Sequence, residues 1–169
     1  MIADRMSKLD SSGIRKIFDL AQKMQNPVNL SIGQPDFDVP EDIKTEAINA
    51  INRGANKYTV TQGIPELCKS LLGRLQKERG VNAENIIITS GVSGALTLAF
   101  LVLVNPGDEV LISDPSFVSY KHLTKFCGGV PLLVDTYPDF KLTAARIQPY
   151  MTPKTRILII NSPANPTGV

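Results

Sequence analysis

Apolar residues recur every third or fourth position along several stretches of the chain, a spacing typical of amphipathic helices. Proline and glycine mark the ends of two of these stretches, since proline suits the first turn of a helix and glycine the position after the last. Pro40 opens one helix that Gly54 closes, and Pro65 opens a second that ends at Gly80. The spacing predicts helices over residues 14–24, 40–54, 64–80, 93–104, 117–126 and 143–150, with an extended segment at 28–32.

Short apolar runs bounded by turn residues predict four strands, at residues 86–89, 109–113, 130–134 and 157–160. Helix 93–104 is apolar nearly all round and is expected to be buried. Helix 64–80 is expected to bury Leu67, Leu71 and Leu75. Alternation of strands and helices predicts an α/β fold, mainly a parallel sheet with flanking helices. In such sheets ligands bind beyond the carboxyl ends of the strands.

The composition excludes several classes of function. The 169 residues are 43% hydrophobic and 20% charged, and the net charge of +2 is spread without the basic stripe that nucleic acids require. One histidine and two cysteines cannot assemble a zinc site. The longest apolar run, residues 95–104, is too short to cross a bilayer, and the first residues include Asp4, Lys8 and Asp10, where a signal sequence would be expected to be apolar. We therefore expect a cytoplasmic protein without metal, membrane or nucleic-acid partners.

A candidate anion site lies where strand 86–89 would lead into helix 93–104. The backbone amides at a helix start are unpaired and face the positive end of the helix dipole. Gly91 permits close backbone approach, the amides of Val92 and Ser93 can face phosphate oxygens, and the Ser93 hydroxyl adds a donor. The spacing matches neither the dinucleotide fingerprint nor the P-loop. An ordinary helix N-cap explains the same residues.

Two further candidates follow the second and fourth predicted strands. Phe117 can lie over a flat heteroaromatic ring, or it can be a core residue that begins a helix. Asn165 stands between Pro163 and Pro166, whose fixed backbone angles would present its carboxamide from a stiff loop. An Asn-Pro turn without a ligand is the alternative. The three candidates together suit an anionic, planar, ring-substituted ligand such as pyridoxal 5′-phosphate.

These residues resemble the class I/II aminotransferases, which belong to the fold-type I pyridoxal-phosphate enzymes, and the likeness covers essentially the whole chain. The resemblance implies that Gly91, Val92 and Ser93 bind the phosphate and that Phe117 stacks on the ring. It also implies that Asn165, in the segment Asn-Ser-Pro-Ala-Asn-Pro-Thr-Gly, hydrogen-bonds the pyridine 3′-oxygen. The alanine that precedes this asparagine departs from relatives, which often carry asparagine there.

Two more positions are assigned by the resemblance alone. Tyr58, followed by Gly-Ile-Pro-Glu-Leu at residues 63–67, is similar to the tyrosine that reaches the phosphate of the neighbouring subunit, which implies a homodimer. Gly33, in the Gly-Gln-Pro-Asp segment, is similar to a turn near the substrate carboxylate. An exposed loop tyrosine and a tight turn explain these residues without a ligand.

Transamination also needs a lysine that forms an imine with the cofactor and moves a proton. No lysine of this sequence falls at the end of a predicted strand, and the resemblance places that catalytic residue beyond Val169. We therefore predict the N-terminal portion of a longer enzyme, inactive by itself. Residues 1–40 are predicted as an N-terminal arm or small-domain segment, and 41–169 as an incomplete pyridoxal-phosphate-binding large domain that stops after the Asn-Pro-Thr-Gly motif.

The function implied for the longer enzyme is transfer of an amino group from an amino acid to a 2-oxo acid, a transferase reaction of amino acid metabolism and biosynthesis. One alternative is a pyridoxal-phosphate-dependent C–S lyase or synthase of the same fold. The other is a non-catalytic ligand-binding or regulatory domain, since a fold does not determine a function.

Overall fold

The computed structural model describes residues 2–8, 17, 20–21, 23–25, 28, 33 and 35–169. These residues form two compact units, one made of Met1–Leu20 with Ser93–Val169 and the other of Ala21–Val92. The helix predicted at 14–24 and the extended segment predicted at 28–32 lie largely outside the described residues. The predicted boundary between residues 40 and 41 stays a prediction.

The unit Ala21–Val92 contains two long helices. Both begin and end close to the positions that proline and glycine predicted for their ends. Helix α1 spans Glu41–Asn52 directly after Pro40, and helix α2 spans Pro65–Arg79. Gly80 follows α2 with φ 66°, a left-handed conformation that costs glycine little, and its N–H donates to the carbonyl of Gln76. Both helix predictions are confirmed, because their end signals are local and need no tertiary contact.

Two other expectations for this unit are wrong. Leu67 of α2 is 40% exposed, and none of the α2 residues is fully buried. Residues 86–89 form no strand. The N–H of Ile88 donates to the carbonyl of Gln62 at 2.8 Å, but no ladder of hydrogen bonds forms around this bond. A β-branched run favours extended backbone, but a strand also needs a neighbour that pairs along its length.

The other unit is built around a parallel sheet whose strand order is β2-β1-β3. Both outer strands run parallel to β1, so Leu111 is paired with Leu132 on one side and with Leu158 on the other. The predicted α/β class with a parallel sheet is confirmed. The elements are α3 (Gly91–Leu103), β1 (Glu109–Asp114), α4 (Val118–Phe126), β2 (Val130–Asp135), α5 (Ala144–Ile147) and β3 (Thr155–Leu158), with 3₁₀ turns at Asp4–Lys8 and Gln148–Tyr150.

The last strand is shifted from its predicted position. It begins at Thr155 and ends at Leu158, whereas the apolar run predicted residues 157–160. The N–H of Ile159 still donates to the carbonyl of Leu111 at 3.0 Å, so one hydrogen bond to β1 continues past the last strand residue. Pairing with the central strand therefore sets the strand bounds, and hydrophobicity alone does not.

The core lies on both faces of the central strand. Val110, Leu111 and Ile112 are at most 1% exposed, and successive residues of a strand point to opposite faces of the sheet. Phe100 and Val104, from α3 and the residue that follows it, pack against Val110 and Ile112. A central parallel strand covered on both faces explains why its sequence is continuously apolar.

Helix α3 is much more exposed than its sequence predicted. Phe100 is its only fully buried residue, whereas Leu98, Leu101 and Val102 are 53%, 60% and 81% exposed. The expectation of a buried helix is wrong for the described chain, because the sheet covers one side of the helix and no described residue buries the others.

Glycine-to-alanine variants provide a test of this packing. Gly129 is buried, and a Cβ there would lie 2.8 Å from Val104 Cγ1 and 3.1 Å from the carbonyl oxygen of Asp108. We expect Gly129→Ala to lower the free energy of unfolding by about 1–3 kcal/mol, the usual cost of overpacking. Gly73, inside α2, has open space around its Cβ position, and Gly73→Ala should raise stability by about 0.5–1 kcal/mol. Urea denaturation measures both changes, and shifts of the same sign would contradict this packing.

Among the described residues, no helix is long and apolar enough to cross a membrane. In the same part of the chain, no three His, Cys, Asp or Glu side chains are grouped so as to hold a metal ion. The side chains of Cys68 and Cys127 are both half-buried.

Candidate functional site

The segments that follow the three strands meet at the carboxyl edge of the sheet. They line a cavity of about 340 Å³. Ser113 and Pro115 come from the end of β1, and Asn161 and Ser162 follow β3. The loop after β2 contributes residues 140–143. Phe117 and Asn165 belong to the first two of these segments, although neither side chain lines the cavity itself. The parallel sheet places both segments at one edge, as expected for a ligand-binding edge.

Asn165 is presented from a loop that its own hydrogen bonds fix. The backbone N–H of Asn165 donates to the side-chain oxygen of Asn161 at 3.1 Å. The N–H of Ala164 donates to the carbonyl of Val169 at 2.8 Å, and that of Gly168 donates to the carbonyl of Ala164 at 2.7 Å. Asn165 itself is exposed, and these bonds leave its carboxamide free to donate to a ligand. The role of Asn161 was not predicted, although an asparagine four residues before Asn165 was a usable signal.

Phe117 lies at the turn between β1 and α4. It directly precedes α4 in an extended conformation, and it is only half-buried. Its ring meets Tyr120 edge to face, with centroids 5.8 Å apart and an interplanar angle of 76°. Such a contact orients an aromatic ring without covering both of its faces. Phe117 therefore lies immediately before the helix and is not fully buried in the core.

Gly91 and the two residues after it form the start of α3. Gly91 has φ 65°, and no atom lies within 4 Å of the position that a Cβ would take. Its own N–H donates to the carbonyl of Thr89 at 2.8 Å, and the Thr89 hydroxyl donates to the carbonyl of Gly91 at 2.9 Å. The amides of Val92 and Ser93 lack intrahelical acceptors because they lie in the first turn. Both residues are exposed, which leaves room for an anion at this helix start.

Tyr58 and Gly33 both lie on the surface. Tyr58 is fully exposed and, with Asn56 and Lys57, lines an open depression of the surface. Gly33 is exposed and has open space around it. The turn assigned to Gly33 lies partly outside the described residues. The role of Gly33 near a substrate stays a prediction.

Arg146, a half-buried residue of α5, stabilises the loop after β2. The guanidinium of Arg146 donates to the carbonyls of Thr136, Tyr137 and Lys141 at 3.1, 3.0 and 2.7 Å and to the carboxylate of Asp139 at 2.5 Å. The hydrogen bond from Arg146, and then the one from the Lys141 backbone, hold the pKa of Asp139 below its ordinary value. This loop borders the cavity, and no sequence pattern indicated the role of Arg146.

The residue types at these positions fit a flat phosphorylated ring. The start of a 13-residue helix offers amides and the Ser93 hydroxyl to a phosphate. Phe117 offers an aromatic surface, and Asn165 offers an amide donor to a ring oxygen. Each of these residues is exposed or half-buried, so each is accessible to a ligand.

The chain is similar to known aminotransferases along nearly its whole length. The family described as aminotransferase class I and II matches residues 25–169. Aromatic-amino-acid aminotransferase 2 of Thermococcus litoralis is 40% identical over 99% of this chain and 44% of that protein. A probable aspartate aminotransferase of Methanocaldococcus jannaschii is 41% identical over 99% of the chain and 45% of the relative. The structure of an aspartate aminotransferase from Rhizobium meliloti matches with a TM-score of 0.93 at 38% identity, covering all of this chain and 44% of that one. The chain thus spans less than half the length of these relatives.

Proposed function

Because this chain belongs to the class I and II aminotransferases, we propose that it forms part of an enzyme that transfers an amino group from an amino acid to a 2-oxo acid with pyridoxal 5′-phosphate. One observation carries the proposal. Asn165 offers an unused carboxamide from a loop fixed by hydrogen bonds, at the carboxyl edge of a parallel sheet where ligands of such folds bind.

When bound, pyridoxal phosphate supplies an electron sink for the bonds at the substrate Cα. The residues of this chain bind and orient it. The amides of Val92 and Ser93 and the Ser93 hydroxyl hold the phosphate, and Gly91 leaves space for its approach. Phe117 sets the plane of the ring, and the Asn165 carboxamide donates to the ring oxygen. Gly33 lies near the substrate carboxylate.

The proton-transfer machinery belongs, in this proposal, to sequence that follows Val169 in the complete protein. A lysine that moves a proton at the substrate Cα must be held close to the ring. No lysine among the described residues lies in a strand. Residues 1–40 then form an arm or small-domain segment, and 41–169 form part of the cofactor-binding large domain.

The complete protein is proposed to be a cytoplasmic homodimer. Full exposure of Tyr58 supports this arrangement, because a large aromatic side chain in solvent is available to another subunit. In the dimer the Tyr58 hydroxyl donates to the phosphate in the partner subunit. The substrates are an amino acid and a 2-oxo acid, with aspartate and aromatic amino acids as the first to test.

Product analysis of the complete protein tests the proposal. Purified protein is loaded with pyridoxal phosphate and incubated with aspartate or phenylalanine and with 2-oxoglutarate. We expect glutamate to form in equal amount to the 2-oxo acid of the donor, without ammonia. A parallel incubation with cystathionine, a thioether amino acid, tests the alternative: release of ammonia and a thiol without glutamate would indicate a C–S lyase. Bound cofactor without turnover of any of these substrates would indicate a ligand-binding or regulatory domain.

A further inference from the structure

Thr136 is a buried polar residue whose hydrogen bonds lie at the carboxyl edge of the sheet. It is 1% exposed and directly follows β2. Its hydroxyl donates to the carbonyl of Asp114 at 2.7 Å, and its backbone N–H donates to the same carbonyl at 3.2 Å. Asp114 is the last residue of β1 and lies 22 positions earlier in the sequence. One side chain thus adds a second hydrogen bond between the ends of two neighbouring strands.

The Asp114 carbonyl, which accepts both of these hydrogen bonds, lies immediately before the turn that carries Phe117. Pro115 follows Asp114, and its ring fixes the backbone angle φ of the next step. Only Ser116 separates this proline from Phe117. Because only Pro115 and Ser116 separate the anchored carbonyl from Phe117, the position of that carbonyl restricts where the Phe117 side chain lies.

Thr136 is itself held from its other side. The guanidinium of Arg146 donates to the Thr136 carbonyl at 3.1 Å and also binds Asp139 in the same loop. The N–H, hydroxyl and carbonyl groups of Thr136 therefore all have partners. A threonine fixed in this way transmits the position of the loop after β2 to the turn after β1.

We propose that Thr136 is a positioning residue for cofactor binding, whose hydroxyl holds the Asp114 turn so that Phe117 meets the pyridoxal ring in a fixed plane. This inference rests on the proposed function. Thr136 does not touch the cofactor and acts through Asp114 and Phe117. A purely structural threonine would stabilise the sheet equally well without affecting the environment of the bound ring.

Thr136→Val tests the inference, because valine keeps the shape of threonine and removes only the hydroxyl. In the complete protein we expect the dissociation constant of pyridoxal phosphate to rise about threefold to tenfold, the usual weight of one such hydrogen bond. We expect the visible circular dichroism of the bound cofactor to change as well. Thr136→Ser restores the hydroxyl and should bind within about twofold of the wild type.

Thr152 supplies a control, because its hydrogen bond lies at the opposite end of β1 from that of Thr136. Its hydroxyl donates to the carboxylate of Glu109, the first residue of β1, at 2.5 Å. Thr152 is exposed, so Thr152→Val removes a solvent-facing link between distant segments, and it should leave cofactor affinity and circular dichroism unchanged. Arg146→Lys provides a second route to the same turn, because one ammonium cannot replace the four hydrogen bonds of the guanidinium. It should weaken cofactor binding in the same direction.

Several outcomes would overturn the inference. The inference fails, while the proposed function stands, if Thr136→Val lowers the thermal midpoint of the apoprotein but leaves cofactor affinity and circular dichroism unchanged. It also fails if Thr152→Val weakens binding as much, since the effect would then be a general loosening of the sheet. If Thr136→Val does not fold, Arg146→Lys decides, and unchanged binding in that variant refutes the role. A wild-type protein that binds no pyridoxal phosphate refutes the proposed function and the inference together.

Discussion

Replacing Asn165 by alanine is expected to lower kcat/KM for amino-group transfer by the complete protein about 10- to 150-fold. The proposed partner of the carboxamide is the negatively charged ring oxygen of pyridoxal phosphate. A hydrogen bond to a charged group is worth about 1.5–3 kcal/mol, which corresponds to this range of rate. The affinity for the cofactor should fall in the same variant.

This loss should occur without damage to the fold. The hydrogen bond that Asn165 makes to Asn161 uses its backbone N–H, which alanine retains. The thermal midpoint of Asn165→Ala should therefore stay within about 2 °C of the wild type, a shift typical of small stability changes. Asn82, an exposed asparagine of the loop after α2, gives the control, and Asn82→Ala should leave kcat/KM unchanged. Equal activity of Asn165→Ala and wild type would remove Asn165 from the site.

Replacing Phe100 by alanine is expected to have the largest effect on stability. Phe100 is 2% exposed and packs with Val104, Val110 and Ile112 in the core. Loss of such a side chain leaves a cavity and costs about 3–5 kcal/mol. A domain of this size is stable by only about 5–15 kcal/mol, so the variant should unfold at a much lower urea concentration.

Val102 provides the control on the same helix. It is 81% exposed, and Val102→Ala should change the free energy of unfolding by less than about 0.5 kcal/mol. Urea denaturation of the 169-residue chain, followed by circular dichroism, compares the two variants. Similar losses at both positions would mean that α3 does not bury Phe100 against the sheet in the way described.

The sequence predicted local features of the fold better than contacts between elements. Pro65 and Gly80 located both ends of α2, because a missing N–H and a left-handed backbone are properties of single residues. Residues 86–89 have the composition of a strand and form none, because pairing requires a neighbour that composition does not reveal. Burial of α3 was overestimated for the same reason, since an apolar sequence does not specify which sides are covered.

The candidate site shows the same division. Asn165 and Phe117 could be proposed from residue type, position after a predicted strand and family resemblance. The groups that hold these segments in place could not. The bond from Thr136 to Asp114 joins residues 22 positions apart, and its existence depends on the parallel pairing of β1 with β2. Arg146 likewise acts through carbonyls of a folded loop, which leave no pattern in the sequence.

A crystal structure of the complete protein with pyridoxal phosphate tests the central proposal most directly. We expect the amides of Val92 and Ser93 to lie about 3 Å from phosphate oxygens, the usual length of such hydrogen bonds. Phe117 should lie against the pyridine ring of the same molecule, and the Asn165 carboxamide should donate to its ring oxygen. A cofactor bound without contact to Phe117 and Asn165, or with its phosphate away from the start of α3, would contradict the proposed site.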